Sequence, residues 1–139
     1  MAYDVQIAID CSDPHGLAEW YAEALGWQVE PQKEDFIRRM IAEGHATEAD
    51  TTMHRGQLKW ATGAAITSPD PGRPRIYFQK VPEPKTVKNR IHLDVHTDDK
   101  EGVLERLTAR GAKELWRANE GPHWWVTIAD PEGNELCLN

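Results

Sequence analysis

The stretch Arg90-Ile91-His92-Leu93-Asp94-Val95-His96-Thr97-Asp98-Asp99 decides how this chain is to be read. Ile91, Leu93 and Val95 alternate with His92, Asp94 and His96, the period-two pattern of a strand with one apolar and one polar face. Past Asp99 the period changes: Val103, Leu104 and Leu107 recur at helical spacing, and Gly111 is placed to stop the helix. The unit is a half-polar strand, a corner and an amphipathic helix.

A near-copy lies earlier. Gln6-Ile7-Ala8-Ile9-Asp10-Cys11-Ser12-Asp13 precedes a helix with Leu17, Trp20, Tyr21, Ala24 and Leu25 on its apolar side and Gly26 at its end. A shift of 86 residues lays Gln6 on His92, Ile7 on Leu93, Asp10 on His96, Asp13 on Asp99 and Gly16 on Gly102. Each Asp sits where it can accept a hydrogen bond from the free amides of the helix that follows. A spaced match of this kind argues for two related halves rather than chance similarity of two short units.

Outward from these anchors, residues 4–11 read as the first strand, 14–25 as the first helix and 27–30 as a short return strand. Phe36, Ile37, Met40 and Ile41 make a short amphipathic helix ending at Gly44, followed by a polar stretch expected to be a loop with at most one helical turn. This segment, about 33–58, has no counterpart in the second half and reads as an insertion. Strands are expected at 60–67, 75–81, 112–116, 124–129 and 135–138, separated by turns such as Ser68-Pro69-Asp70-Pro71-Gly72 and Asp130-Pro131-Glu132-Gly133-Asn134. Two prolines in Pro82-Glu83-Pro84 end the strand before them and open a linker. The chain is thus one domain, 1–139, of two βαβββ modules, 1–82 and 89–139. Each module's sheet has one uncovered face, so the pair is expected to form a cup-shaped mixed sheet around a central cleft in an α+β fold.

Composition limits the function classes. Hydrophobic residues make up 40% and charged residues 28%, as in ordinary globular proteins. No apolar run reaches the roughly 20 residues that span a bilayer, and the start lacks a signal-peptide pattern, so a cytoplasmic protein with no membrane partner is expected. The net charge of -7 argues against general nucleic-acid binding. Arg73, Arg75, Lys80, Lys85, Lys88 and Arg90 crowd one segment, read as a solvated linker in preference to an anion site. Cys11 and Cys137 fit neither a disulfide framework nor a zinc-finger spacing and are read as reduced.

The paired modules, the His92 strand with its Asp99 corner, and the terminal Asp130-Pro131-Glu132-Gly133-Asn134-Glu135-Leu136-Cys137-Leu138 resemble the vicinal oxygen chelate superfamily, which includes glyoxalase I, bleomycin-resistance proteins and extradiol dioxygenases. More narrowly, 75–85 and 88–94 look like the actinobacterial glyoxalase-like domain group. In metal-using members a divalent ion sits on four strand positions. Carried over by motif, these are Gln6, Gln79, His92 and Cys137, with Glu135 as the alternative to Cys137. Two neutral carboxamides and one imidazole supply no charge for an oxygen-rich magnesium or manganese site, whereas a Cys137 thiolate with His92 favours zinc. One divalent metal (zinc, nickel, manganese or iron) and a metal-free cup both stand as readings.

His92 and Asp94 are the candidate catalytic pair, His92 because the reference pKa of the histidine side chain is near neutral; a histidine merely satisfied by Asp94 looks the same in sequence. Asp10, Tyr77, His96, Trp60 and Trp125 are the candidate substrate-binding residues, His123-Trp124-Trp125 adding aromatic wall. What the resemblance implies is an enzyme of glyoxalase-like lyase or isomerase, or dioxygenase-like, type acting on a small oxygenated metabolite, or a non-catalytic binder that sequesters a drug-like molecule. It also implies a homodimer.

Overall fold

Three helices and two four-stranded mixed sheets make an α+β fold, described by a computed structural model over residues 1–139. In chain order the elements are β1 (Ile7–Cys11), α1 (Pro14–Leu25), β2 (Gln28–Val29), α2 (Glu34–Ala42), a 3-10 turn (Glu48–Asp50), β3 (Thr51–His54), β4 (Gln57–Trp60), β5 (Gly63–Thr67) and β6 (Ile76–Lys80). Then follow β7 (Leu93–Val95), α3 (Lys100–Thr108), β8 (Lys113–Glu120), β9 (His123–Ala129) and β10 (Glu135–Leu138). The chain divides into two compact units, Met1–Glu83 and Pro84–Asn139.

The two units repeat one topology. In the first the sheet order is β1-β6-β5-β2, with β1 parallel to β6 and Ile7 opposite Ile76. In the second it is β7-β10-β9-β8, with β7 parallel to β10 and Leu93 opposite Leu136. Ile76 follows Ile7 by 69 positions and Leu136 follows Leu93 by 43; the difference of 26 equals the length of segment 33–58. The shared register makes Ile76, Tyr77 and Phe78 equivalent to Leu136, Cys137 and Leu138.

Both first helices begin by the same device. The Gly16 N–H donates to Asp13 Oδ1 at 3.1 Å and the Gly102 N–H to Asp99 Oδ1 at 2.9 Å. A Cβ at either glycine would lie 2.3 or 2.1 Å from the capping carboxylate, so only glycine lets that side chain close over the first turn. Helix α1 stops at Gly26, whose left-handed φ of 70° costs no Cβ clash. Its buried face packs Tyr21 against Phe78, ring centroids 5.3 Å apart, with Trp20 edge-on to Tyr21. Val126, Ile128, Leu136 and Leu138, all fully buried, form the corresponding core of the second unit. Each such side chain contributes about 1.5–3 kcal/mol by leaving water.

Four expectations are corrected. The polar stretch before Trp60 is not a loop but the 3-10 turn and the hairpin β3–β4. Arg55 takes φ 50° and Gly56 φ 76° at its tip, a left-handed pair that twists as the strands do. Long-range pairing holds it: Glu19 of α1 accepts three hydrogen bonds from Arg55 and pairs with His54 at 2.7 Å. The strand expected over 60–67 is broken, β4 ending at Trp60 and β5 starting at Gly63. The His92 strand is shorter than its alternation suggests; β7 covers only Leu93–Val95, and Ile91 is 83% exposed. Strand β8 runs on to Glu120, with an irregularity between Glu114 and Trp116.

Candidate functional site

The polar face of the second sheet collects the chemistry. Cys137 pairs with Asp94 on β7 and with Thr127 on β9. Side chains of paired residues stand on one face of a sheet, and residues two apart join them. His92, Asp94, Cys137, Thr127, Trp125 and His123 therefore line one cavity of about 400 Å³. His92 Nε2 lies 3.2 Å from Asp94 Oδ1, both side chains half exposed. The Cys137 thiol is 8% exposed and lies 3.3 Å from the Thr127 hydroxyl. Ligand atoms of His92, Asp94 and Cys137 all fall within 4.8 Å of one another.

That triad can act in two ways. An imidazole, a carboxylate and a thiol are a mixed N/O/S donor set, which would suit a borderline-soft ion such as zinc. Without an ion, one ring nitrogen of His92 faces the Asp94 carboxylate at 3.2 Å and the other is left to take or give a proton. The rings of His123 and Trp125, centroids 5.7 Å apart, supply an aromatic wall over the same floor.

Glu135 has a different duty. It is buried, pairs with Lys85 at 3.1 Å and accepts from the Asn89 amide at 3.2 Å. Burial alone would raise its pKa, but the Lys85 ammonium and the Asn89 amide outweigh that and hold it below its ordinary value. The carboxylate is thus spent on tying segment 84–89 to β10.

The first unit carries other groups at the equivalent positions. Gln6, equivalent to His92, accepts a 2.7 Å hydrogen bond from Arg75, which also pairs with Glu30 at 2.7 Å. Register puts Tyr77, not Gln79, at the position of Cys137, because Ala8 and Tyr77 pair as Asp94 and Cys137 do. Gln79 lies two residues further on, exposed. Tyr77 and Trp60 do line a cavity, of about 420 Å³, but it belongs to the first unit, while Trp125 belongs to the cavity of the second. Asp10 and His96 are exposed and line neither. Trp124 points to the opposite face, where Lys100 Nζ stands 4.8 Å and Arg117 Cζ 5.8 Å from its ring centroid. Arg75, read as part of a solvated basic run, is instead fixed by Glu30 and Gln6.

Thr127 and Phe36 line these cavities without having been expected to, and Arg75, weighed as one cation of a basic run, lines that of the first unit. Thr127 was within reach, two positions along the strand from Trp125. Phe36 and Arg75 depend on how the insertion folds back, which no local pattern records.

Family comparison agrees with this topology. A model of the glyoxalase-like domain matches residues 6–139. The chain belongs to the glyoxalase-like domain family. Its solved neighbours lie in the glyoxalase, bleomycin resistance and dioxygenase superfamily, the vicinal oxygen chelate proteins. One is a glyoxalase/bleomycin resistance protein/dioxygenase family enzyme from Burkholderia phytofirmans PsJN, with TM-score 0.62, 17% identity, and coverage of 99% of this chain and 98% of that one. Another is a point mutant of the fosfomycin resistance protein FosX from Listeria monocytogenes, complexed with Mn(II) and a dihydroxypropylphosphonic acid, with TM-score 0.65, 9% identity, and coverage of 100% and 90%. A third is TioX from Micromonospora sp. ML1, with TM-score 0.53, 16% identity, and coverage of 99% and 97%. At these identities the likeness is one of fold. No curated protein matches the chain in sequence.

Proposed function

We propose that this glyoxalase-like protein acts on a small oxygenated metabolite bound against the polar face of the second unit, with His92, Asp94 and Cys137 as its working groups. The observation that carries the reading is the convergence of those three donors within 4.8 Å at one cavity. His92 holds or moves the proton at the reacting oxygen or the carbon beside it. Asp94, its carboxylate 3.2 Å from the ring nitrogen, orients the imidazole. Trp125 and His123 position the apolar part of the ligand and thin the water around it.

The donor set also fits a divalent ion, zinc above the harder metals, held by His92, Asp94 and Cys137. Such an ion would polarise a ligand oxygen as a Lewis acid. In that form the sole protonable role left to the cavity's imidazoles falls to His123.

A second reading, sequestration of a drug-like molecule without turnover, is favoured by the aromatic-walled cavity of the first unit. A homodimer would cover β8, an edge strand with Leu115 and Trp116 exposed. Two free cysteines support work in the reducing cytoplasm, and no helix is long and apolar enough to cross a membrane.

The deciding experiment follows substrate loss by proton NMR for thiol adducts of α-oxoaldehydes and for catechols, the substrate classes that the words glyoxalase and dioxygenase denote. The expected result is turnover by the native chain that His92→Ala abolishes and Cys11→Ala leaves intact. Full turnover by His92→Ala overturns the catalytic assignment, and ligand binding without turnover moves the conclusion to sequestration.

A further inference from the structure

The segment 33–58 interrupts a topology that the second unit completes without it, and it builds a cavity wall. Ile37 of α2 is fully buried and anchors the helix, which leaves the neighbouring Phe36, 45% exposed, at the cavity of the first unit. Trp60, closing the inserted hairpin, is clamped on both sides of its backbone. Its N–H donates to Gln32 Oε1 and its carbonyl accepts from His15 Nε2, each at 2.8 Å. The other end of the Gln32 amide donates to the Gly63 carbonyl at 2.8 Å. A side chain with its backbone held this way presents its ring with little entropy left to lose on binding.

The third ring is set by a glycine. A Cβ at Gly63 would stand 2.1 Å from the Tyr77 hydroxyl oxygen and 2.3 Å from Cζ, so the phenol lies flat on the bare Cα of β5. Its hydroxyl makes no hydrogen bond to the protein and is open to a ligand.

The charge around these rings favours an anion. The Arg75 guanidinium stands over Tyr77, 5.5 Å from the ring centroid. Of its five N–H groups, Nε donates to Glu30, one on Nη1 to Gln6 and one on Nη2 to Glu30, which leaves one on each terminal nitrogen unused. Lys33 lines the same cavity and forms no ion pair, so two cations face the single carboxylate of Glu30. An aromatic cage for an organic cation needs the seat over the ring empty. Here Arg75 already fills it.

We propose that the insertion creates a binding site for a flat aromatic ring bearing a carboxylate. The ring stacks between Phe36 and Trp60 with the Tyr77 phenol at its edge, and the carboxylate meets the free N–H groups of Arg75 and the Lys33 ammonium. At about 420 Å³ the cavity has room for a two-ring ligand. The cavity shares no lining residue with that of the second unit, and it gives the inserted segment a role in recognition.

Calorimetric titration of the full chain with 2-naphthoate, and with the neutral 2-naphthalenemethanol, tests this. Expected are one saturable site for the acid and affinity about tenfold weaker for the alcohol. Arg75→Gln should erase that preference. Phe36→Ala, at an exposed position that does not threaten folding, should weaken 2-naphthoate severalfold. His92→Ala should change nothing, so a failed reading of the second unit leaves this result standing. Equal affinity for acid and alcohol, no saturable binding at millimolar acid, or binding indifferent to both Arg75→Gln and Phe36→Ala overturns the proposal.

Discussion

The two sheets share strand order and register, yet their equivalent positions carry opposite chemistry. The second unit has His92, Glu135 and Cys137 where the first has Gln6, Arg75 and Tyr77. An imidazole gives way to a carboxamide, a carboxylate to a guanidinium and a thiol to a phenol. The aromatic wall also changes strands: Trp125 on β9 is equivalent to Gly63 on β5, and the bare glycine makes room for Tyr77. Backbone pairing needs only that the hidden side chains be apolar. The open face is free to diverge, so one half carries a His/Asp/Cys cluster and the other an arginine-bearing aromatic surface.

If the hidden faces are truly equivalent, they fail together. Phe78 and Leu138 are matched by register and both fully buried. Phe78→Ala should cost about 3–5 kcal/mol and Leu138→Ala about 2–5 kcal/mol in urea unfolding. A loss below 1 kcal/mol at either would break the equivalence.

The open faces should respond each in its own way. Gly63→Ala forces Tyr77 off the strand and should cost about 1–3 kcal/mol by overpacking. Adding Tyr77→Ala should recover most of that loss, measured by the same unfolding curves. A double variant no better than the single one would show that the glycine serves something other than the ring.

Glu135, at the position where the first unit carries Arg75, makes part of the stability of the second unit depend on acid. Glu135 has its folded-state pKa depressed, so its contribution to stability is present above the ordinary Glu value of about 4.3 and fades as the pH falls through the lower folded value. Glu135→Gln should therefore be less stable than the native chain at pH 7, the gap closing as the pH falls below the ordinary Glu range. A gap that is constant with pH would mean that the Lys85 pair contributes nothing.

The smallest effect sharpens the comparison most finely. Asp13→Ala and Asp99→Ala should each cost about 1 kcal/mol, since both carboxylates accept from the third amide of their helix. Thermal unfolding showing a loss at one cap and none at the other would separate two sites that the sequence makes identical.

Those caps show what was legible. The shared Asp-x-x-Gly spacing, the alternation about Asp94 and the turn at Asp130 are local, and each fixed its element within a few residues of where it lies. The hairpin tip at Arg55 was not legible, because Arg in the left-handed region is held by Glu19, 36 positions away. In the site, His92, Asp94 and Cys137 were all named from strand position and family pattern, and the structure brings them together. Tyr77 was named for its ring, but Gln79 was given its place in the register. Counting from the strand's polar residues cannot tell which of two alternate positions faces the partner, and only the pairing with Ala8 decides it. Arg75 looked like one charge in a basic run, since its partners Glu30 and Gln6 lie 45 and 69 positions away.

The central claim, that the second sheet alone carries a metal-competent working face, is tested most directly by calorimetric titration of zinc into the untagged chain, Cys137→Ala and Tyr77→Ala. The account predicts one equivalent bound by the native chain and by Tyr77→Ala, and none by Cys137→Ala. No zinc bound by the native chain, or zinc retained by Cys137→Ala, would contradict it.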